Sequence, residues 1–215
     1  MKQEDTKKRI LEKALELFSV YGYDAVSVAQ IADAVGIKAP SLYNHFVGKQ
    51  AIFDAIVEET TAHYEQDIGR IDIHMQDAEQ DTALFRQISE DGLCEKLRQL
   101  FLYSLHDKTV SSFRRMLTIE QFRSAELAQL YSQRYADGVT AYHVKIFSGL
   151  ADAGMIACDD METLAAMYVA PIVTLVGICD RQPEREQECL RRLDAHVRLF
   201  YRTVRATVQN QSRAE

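Results

Sequence analysis

The chain has 215 residues, enough for one large hydrophobic core or for a small domain joined to a larger one. Its 47% apolar and 27% charged content is that of a folded globular protein and excludes a disordered or fibrous chain. A net charge of −7 excludes a uniformly basic nucleic-acid binder. Residues 1–50 nevertheless carry seven basic against six acidic side chains, so the excess acid lies beyond them.

Met1–Arg9 is polar, with no apolar core after its lysines, so no secretory signal is expected and the compartment read from the sequence is the cytoplasm. In chain order, Ile10, Leu11, Ala14, Leu17, Phe18 and Tyr21 form the stripe of a first helix, which Gly22 ends. Two short helices follow, near Val28–Val35 and Pro40–Phe46. Ser27 is the expected N-cap of the former, and Pro40 fits the first turn of the latter. A longer helix runs from Lys49 to about Ile68, and then a polar stretch over 72–81 has no assigned course. Leu93, Leu97, Leu100 and Phe101 mark another helix; Phe113, Met116, Leu117 and Phe122 mark the next. The stripe from Leu127 through Tyr135, Tyr142 and Ile146 to Leu150 predicts one helix of over six turns, stopped at Gly154. Asp159 or Asp160 caps an apolar helix through Cys179, and the last helix carries Leu190, Leu193, Val197, Phe200, Tyr201 and Val204. The whole reads as all-α, with about nine helices. The uncharged run Thr163–Cys179 contains Pro171 and Gly177 and is flanked by charge, so it reads as a buried helix; a membrane span needs about 20 strongly apolar residues. The cysteines at 94, 158, 179 and 189 form no C-x-x-C pair and are expected to be reduced, inert thiols.

The segment 27–46 carries the most information. Ile31, Val35, Ile37, Leu42 and Phe46 can share a core between two helices that cross at Ala32, and Gly36 can take the left-handed turn between them. The outward residues Lys38, Ala39, Pro40, Ser41, Tyr43, Asn44 and His45 are short or polar at the start of the second helix. Such a helix fits a major groove about 12 Å wide and presents its first turn to base edges. Two short helices of an ordinary bundle would need the same core and cap, and that alternative stays open on the motif alone.

Residues 7–58 resemble the DNA-binding domain of the TetR/AcrR repressors. The resemblance rests on R-I-L-x-x-A-L-E-L-F over 9–18, Y-G-Y-D-A-V-S-V over 21–28, I-A-x-A-V-G-I over 31–37, S-L-Y-N-H-F over 41–46, and Lys49. It implies a helix-turn-helix domain over 1–48 and a ligand-binding and dimerisation domain over 49–215. Carried onto this sequence, it implies that Ser27 caps the first motif helix and touches phosphate. Lys38, Ala39, Pro40 and Ser41 then lie nearest the bases. Tyr43 and His45 match backbone and base contacts, Asn44 holds a specificity-setting position, and Lys49 meets a phosphate. Ala29 stands where the family often has a longer polar residue, which removes one expected contact.

The same resemblance implies a homodimer through the last two long helices, a palindromic operator in double-stranded DNA, and a small-molecule effector of unknown identity that releases a repressor. A monomer burying both faces of those helices is the alternative. Tyr103, Phe113, Met116, Phe122, Tyr135, Tyr142, Met167 and Tyr168 are the candidate pocket lining, and each is equally placed to pack a core. Arg134 and His143 lie on the same stripe and can meet a polar or anionic ligand, though Arg134 is also placed for an ion pair. Pro171 can border the pocket or serve packing. The sequence holds no H-E-x-x-H, no G-x-S-x-G, no phosphate loop and no paired metal ligands, so no enzyme, cofactor, metal or membrane partner is expected. A helical adaptor that uses the motif for protein contacts is the third reading.

Overall fold

The computed structural model describes residues 2–71, 73–74 and 77–211, and among these the regular structure is helical throughout. Eleven α-helices follow in chain order: α1 (Lys2–Tyr21), α2 (Val28–Val35), α3 (Ala39–Tyr43), α4 (Lys49–Arg70), α5 (Ala78–Gln87), α6 (Glu90–His106), α7 (Lys108–Glu120), α8 (Ala125–Ser132), α9 (Gly138–Asp152), α10 (Met161–Arg181) and α11 (Glu186–Gln211). The all-α expectation holds. The described residues contain two helices more than the sequence reading, for two local reasons. Asp77 accepts the Gln80 N–H at 3.0 Å and so caps α5, at the edge of the stretch left unassigned. Residues 72, 75 and 76 of that stretch lie outside the described residues. A π-helical turn, Gln133–Asp137, also divides the long stripe over 127–150 into α8 and α9.

Packing gathers the chain into two compact units. The first comprises residues 1–66 and 107–131, the second 67–106 and 132–215. This differs from a division at residue 48, because α7 and α8 pack with the N-terminal helices. In the first unit, α1 buries Ile10, Leu11, Ala14 and Phe18 and lies along α7, which buries Phe113, Met116 and Leu117. Burying a side chain of this size contributes about 1.5–3 kcal/mol. Polar contacts fix the register: Lys108 of α7 ion-pairs with Glu16 of α1. The Glu120 carboxylate, itself buried, accepts the Tyr23 N–H at 3.0 Å.

In the second unit, α9 packs on α5 and α10, and α11 packs on α6 and α10. Leu93, Leu97, Phe101, Ile146, Leu193 and Val197 stand at the centre of this core. One buried polar group crosses it. Asp81 of α5 accepts the His74 backbone N–H at 2.8 and 3.0 Å and the Tyr142 hydroxyl, so its desolvation is offset by several donors. At the surface, Arg202 and Arg198 of α11 clamp Glu90 at 2.6 and 2.8 Å and hold its carboxyl down to about 2. Pro171 sits inside α10.

Candidate nucleic-acid interface and ligand cleft

Each joint of the helix-turn-helix has a physical cause. Gly22 ends α1 at φ +85°, and a Cβ there would stand 2.2 Å from Glu120 Oε1, so the turn needs glycine for conformation and for space. Ser27 starts α2 with a reciprocal cap: its hydroxyl accepts the Gln30 N–H at 3.3 Å, and Gln30 Oε1 accepts the Ser27 N–H at 2.8 Å. Gly36, at φ 77°, turns the chain after α2 and returns its N–H to the Ala32 and Asp33 carbonyls. The Arg9 guanidinium reaches from α1 to the Val35 carbonyl at 2.6 Å and closes the same end of α2. Ile31, Ala32, Val35, Leu42 and Phe46 are buried together as the shared core.

α3 holds only Ala39–Tyr43 as regular helix, shorter than the expected Pro40–Phe46. The chain does not unwind after Tyr43: the N–H groups of His45 and Phe46 both bond to the Leu42 carbonyl, at 2.9 and 3.1 Å. Lys38, Pro40, Ser41 and Asn44 are exposed, Ala39 and His45 are half-buried, and Tyr43 keeps 54% of its surface in solvent. Only Leu42 and Phe46 of this stretch face inward. Val47, which the sequence reading did not single out, is fully solvent-facing beside them, an apolar side chain left on an outer loop.

Lys49 stands at the start of α4, as expected, and its ammonium is engaged within the chain. Its ammonium donates to the Tyr23 carbonyl at 2.9 Å and the Asp24 carbonyl at 3.4 Å, and it stands 4.3 Å over the Tyr23 ring. It therefore pins the start of α4 to the turn between α1 and α2. Ser27 likewise spends its hydroxyl on the cap.

The pocket candidates do not form one site. His143 and Tyr168 line a cleft in the second unit, open to solvent. Its other walls come from Phe147 and Leu150 of α9 and from Phe200, Tyr201 and Arg205 of α11. Phe113 and Met116 belong instead to the core of the first unit. Phe122 is 90% exposed and Met167 63% exposed, which corrects the expectation that they line a cavity: each stands on the outer side of its segment. Tyr142 spends its hydroxyl on Asp81. Tyr103, Arg134, Tyr135 and Pro171 are not part of the cleft wall. The other helical wall residues come from α5, α6, α9 and α11; Leu93, Ile146, Phe147, Leu150, Phe200, Tyr201 and Val204 lie on stripes legible in the sequence, whereas Phe85 and Arg205 carry no such mark.

The cleft's aromatic lining is ordered. Phe147 stacks on Phe200 with centroids 5.4 Å apart, and Tyr168 lies 4.7 Å from Phe200 and 5.0 Å from His143. His143 Nδ1 stands 2.8 Å from the Val139 carbonyl, and burial lowers the imidazole pKa to about 4. Burial and the neighbouring Cys189 push the Cys179 thiol up to about 12, so little thiolate exists there at neutral pH.

The three comparisons with known proteins fall on this geometry. The family model described as bacterial regulatory proteins of the tetR family matches residues 10–56, the span from α1 into α4. The transcriptional repressor ComR of Escherichia coli is 44% identical over 48 residues, which is 22% of this chain and 23% of ComR. The transcriptional regulator AcrR of Shigella flexneri is 32% identical over 117 residues, 54% of this chain and 47% of AcrR. The matches thus span less than half the length of these curated relatives. The fold is similar to that of MexZ, a repressor from Pseudomonas aeruginosa, with a TM-score of 0.71 at 16% identity over 94% of this chain and 96% of that one. Regulators of this family are not enzymes. The caps, the glycine turn and the family match fall on the same residues, so the N-terminal domain is similar to that of the tetR family of bacterial regulatory proteins.

Proposed function

We propose that this chain is a cytoplasmic, homodimeric DNA-binding regulator that represses from a palindromic operator and is released by a small molecule bound in its second unit. The observation that carries the reading is the outward face of α3: Lys38, Pro40, Ser41, Tyr43 and Asn44 all project from a helix whose inner side is fixed by Leu42. Short side chains at its start let the backbone approach base edges, while Lys38 and Tyr43 serve phosphates. Lys49 acts by holding the turn before α2 in place.

A second copy of the chain is the partner of the second unit. α10 is long and apolar enough to cross a membrane, yet it packs on α9 and α11 on one side. Its other side leaves Ala166, Met167, Ala170 and Thr174 exposed, and α11 leaves Ala195 and Leu199 exposed. Two-fold pairing of these faces would set two α3 helices about one DNA turn, roughly 34 Å, apart. Binding of effector then acts by favouring the conformation that does not fit the operator.

Selection from a pool of random duplex DNA, sequenced at two salt concentrations, tests the reading. A palindromic site bound less tightly at the higher salt supports it. A folded dimer that enriches no sequence, with or without candidate effectors, contradicts it.

A further inference from the structure

Apart from the hydroxyls of Tyr168 and Tyr201, the latter donating to the Ile88 carbonyl at 3.2 Å, the cleft of the second unit is polar at two points, and those two points define a ligand. The first is His143. Its Nδ1 lies 2.8 Å from the Val139 carbonyl, so Nδ1 carries the proton and donates. With the ring neutral, Nε2 is an acceptor on the cleft wall, and it has no hydrogen-bond partner among the described residues. A donor brought into the cleft by a ligand would satisfy it. The second point is Arg205, the one cationic side chain among the wall residues. Its guanidinium lies 4.5 Å over the Tyr201 ring and pairs with no carboxylate among the described residues. Between the two points lie the rings of Phe147, Tyr168 and Phe200. Arg205 follows Phe200 by five residues, about 7.5 Å along the helix, so a single short ring would not reach from the histidine to the arginine.

We propose that this cleft takes a hydroxylated aromatic carboxylate with a short chain between ring and acid. Its phenol donates to His143 Nε2, its ring packs among Phe147, Tyr168 and Phe200, and its carboxylate pairs with Arg205 at the mouth. The assignment rests on the regulator reading in so far as this molecule is the effector; the binding itself does not need DNA. It separates the class from fatty acids, which offer Arg205 a carboxylate but His143 no donor, and from neutral phenols, which do the reverse.

Calorimetric titration of the full-length chain with 4-hydroxycinnamate tests the proposal, beside cinnamate, methyl 4-hydroxycinnamate and decanoate. Cinnamate lacks the donor and is expected to bind about fivefold to tenfold more weakly. The methyl ester lacks the charge and is expected to bind about twofold to fivefold more weakly, since Arg205 is exposed. His143→Phe removes the preference for the phenol and keeps cinnamate binding. Arg205→Gln, a surface change that leaves the fold intact, removes the preference for the acid over the ester. No binding of 4-hydroxycinnamate at millimolar concentration, or equal binding of cinnamate or decanoate by the unaltered chain, overturns the proposal. Duplex selection with the same preparation keeps the two readings apart. A selected operator with silent calorimetry removes the ligand class alone, whereas phenol-dependent binding without any selected duplex removes the regulator reading and leaves the site.

Discussion

His143 shows how a single residue ties stability to pH. The rings of Tyr142, Phe147 and Tyr168 surround the imidazole, and burial lowers its pKa from 6.5 to about 4. As pH falls, the unfolded chain takes up this proton near 6.5 and the folded chain only near 4. Stability is therefore complete above the upper value and declines across that window. The loss reaches at most about 3 kcal/mol, an upper bound because the ring meets solvent through the cleft. His143→Phe should flatten the fall between pH 6.5 and 4 in urea denaturation; parallel curves for the two proteins would contradict the assignment. The sequence marked His143 as a polar residue on an apolar stripe. Its tautomer was not legible, because that depends on a carbonyl one turn back, and its aromatic neighbours come from α9 and α10. At Gly22 the helix end was legible from the glycine itself. The Glu120 carboxylate that needs the same space was not, since a glutamate on an amphipathic helix gives no sign of being buried 98 positions away.

Among the elements, α1 to α3 were readable because each boundary is a local matter: a left-handed glycine, a serine cap, a proline in a first turn. The break between α8 and α9 was not. A stripe with spacings of three and four continues through a π-turn almost unchanged, so Leu127–Leu150 read as one helix. In the fold, the Gly138 N–H returns five residues to the Gln133 carbonyl, and a Cβ on Gly138 would stand 2.1 Å from that oxygen. An ordinary helix gains about 1 kcal/mol from Gly→Ala. Here Gly138→Ala should reverse the sign and lower the melting temperature, because backbone must move to admit the methyl group. A raised melting temperature would mean that the turn is not π-helical. The length of α3 was over-read for the opposite reason: Asn44 to Phe46 keep helical hydrogen-bond partners without completing a regular turn.

For the molecule as a whole, the two-unit packing places α7 and α8 with the N-terminal helices, a grouping that no sequence pattern announces. Exposed Leu199, with 68% of its surface in solvent, and Met167 mark the outer faces of α11 and α10. Leu199→Glu should raise the dimer dissociation constant by at least about tenfold in sedimentation analysis, since a carboxylate would be desolvated at a contact of this kind. An unchanged constant would place the interface elsewhere. Of the expected pocket lining only His143 and Tyr168 stand on the cleft wall, because any aromatic on a helical stripe has several cores to serve, and chain distance does not say which.

The central claim is that the outer face of α3 reads DNA. The most direct test is fluorescence anisotropy of the selected duplex titrated with the unaltered chain and with Tyr43→Ala and Lys38→Ala at two salt concentrations. The account predicts specific binding that weakens as salt rises, with a salt slope shallower by about one unit in Lys38→Ala, which removes a charged phosphate contact, and lower affinity at unchanged slope in Tyr43→Ala, which removes an uncharged one. Undiminished affinity in both variants, with the salt dependence unchanged, would contradict it.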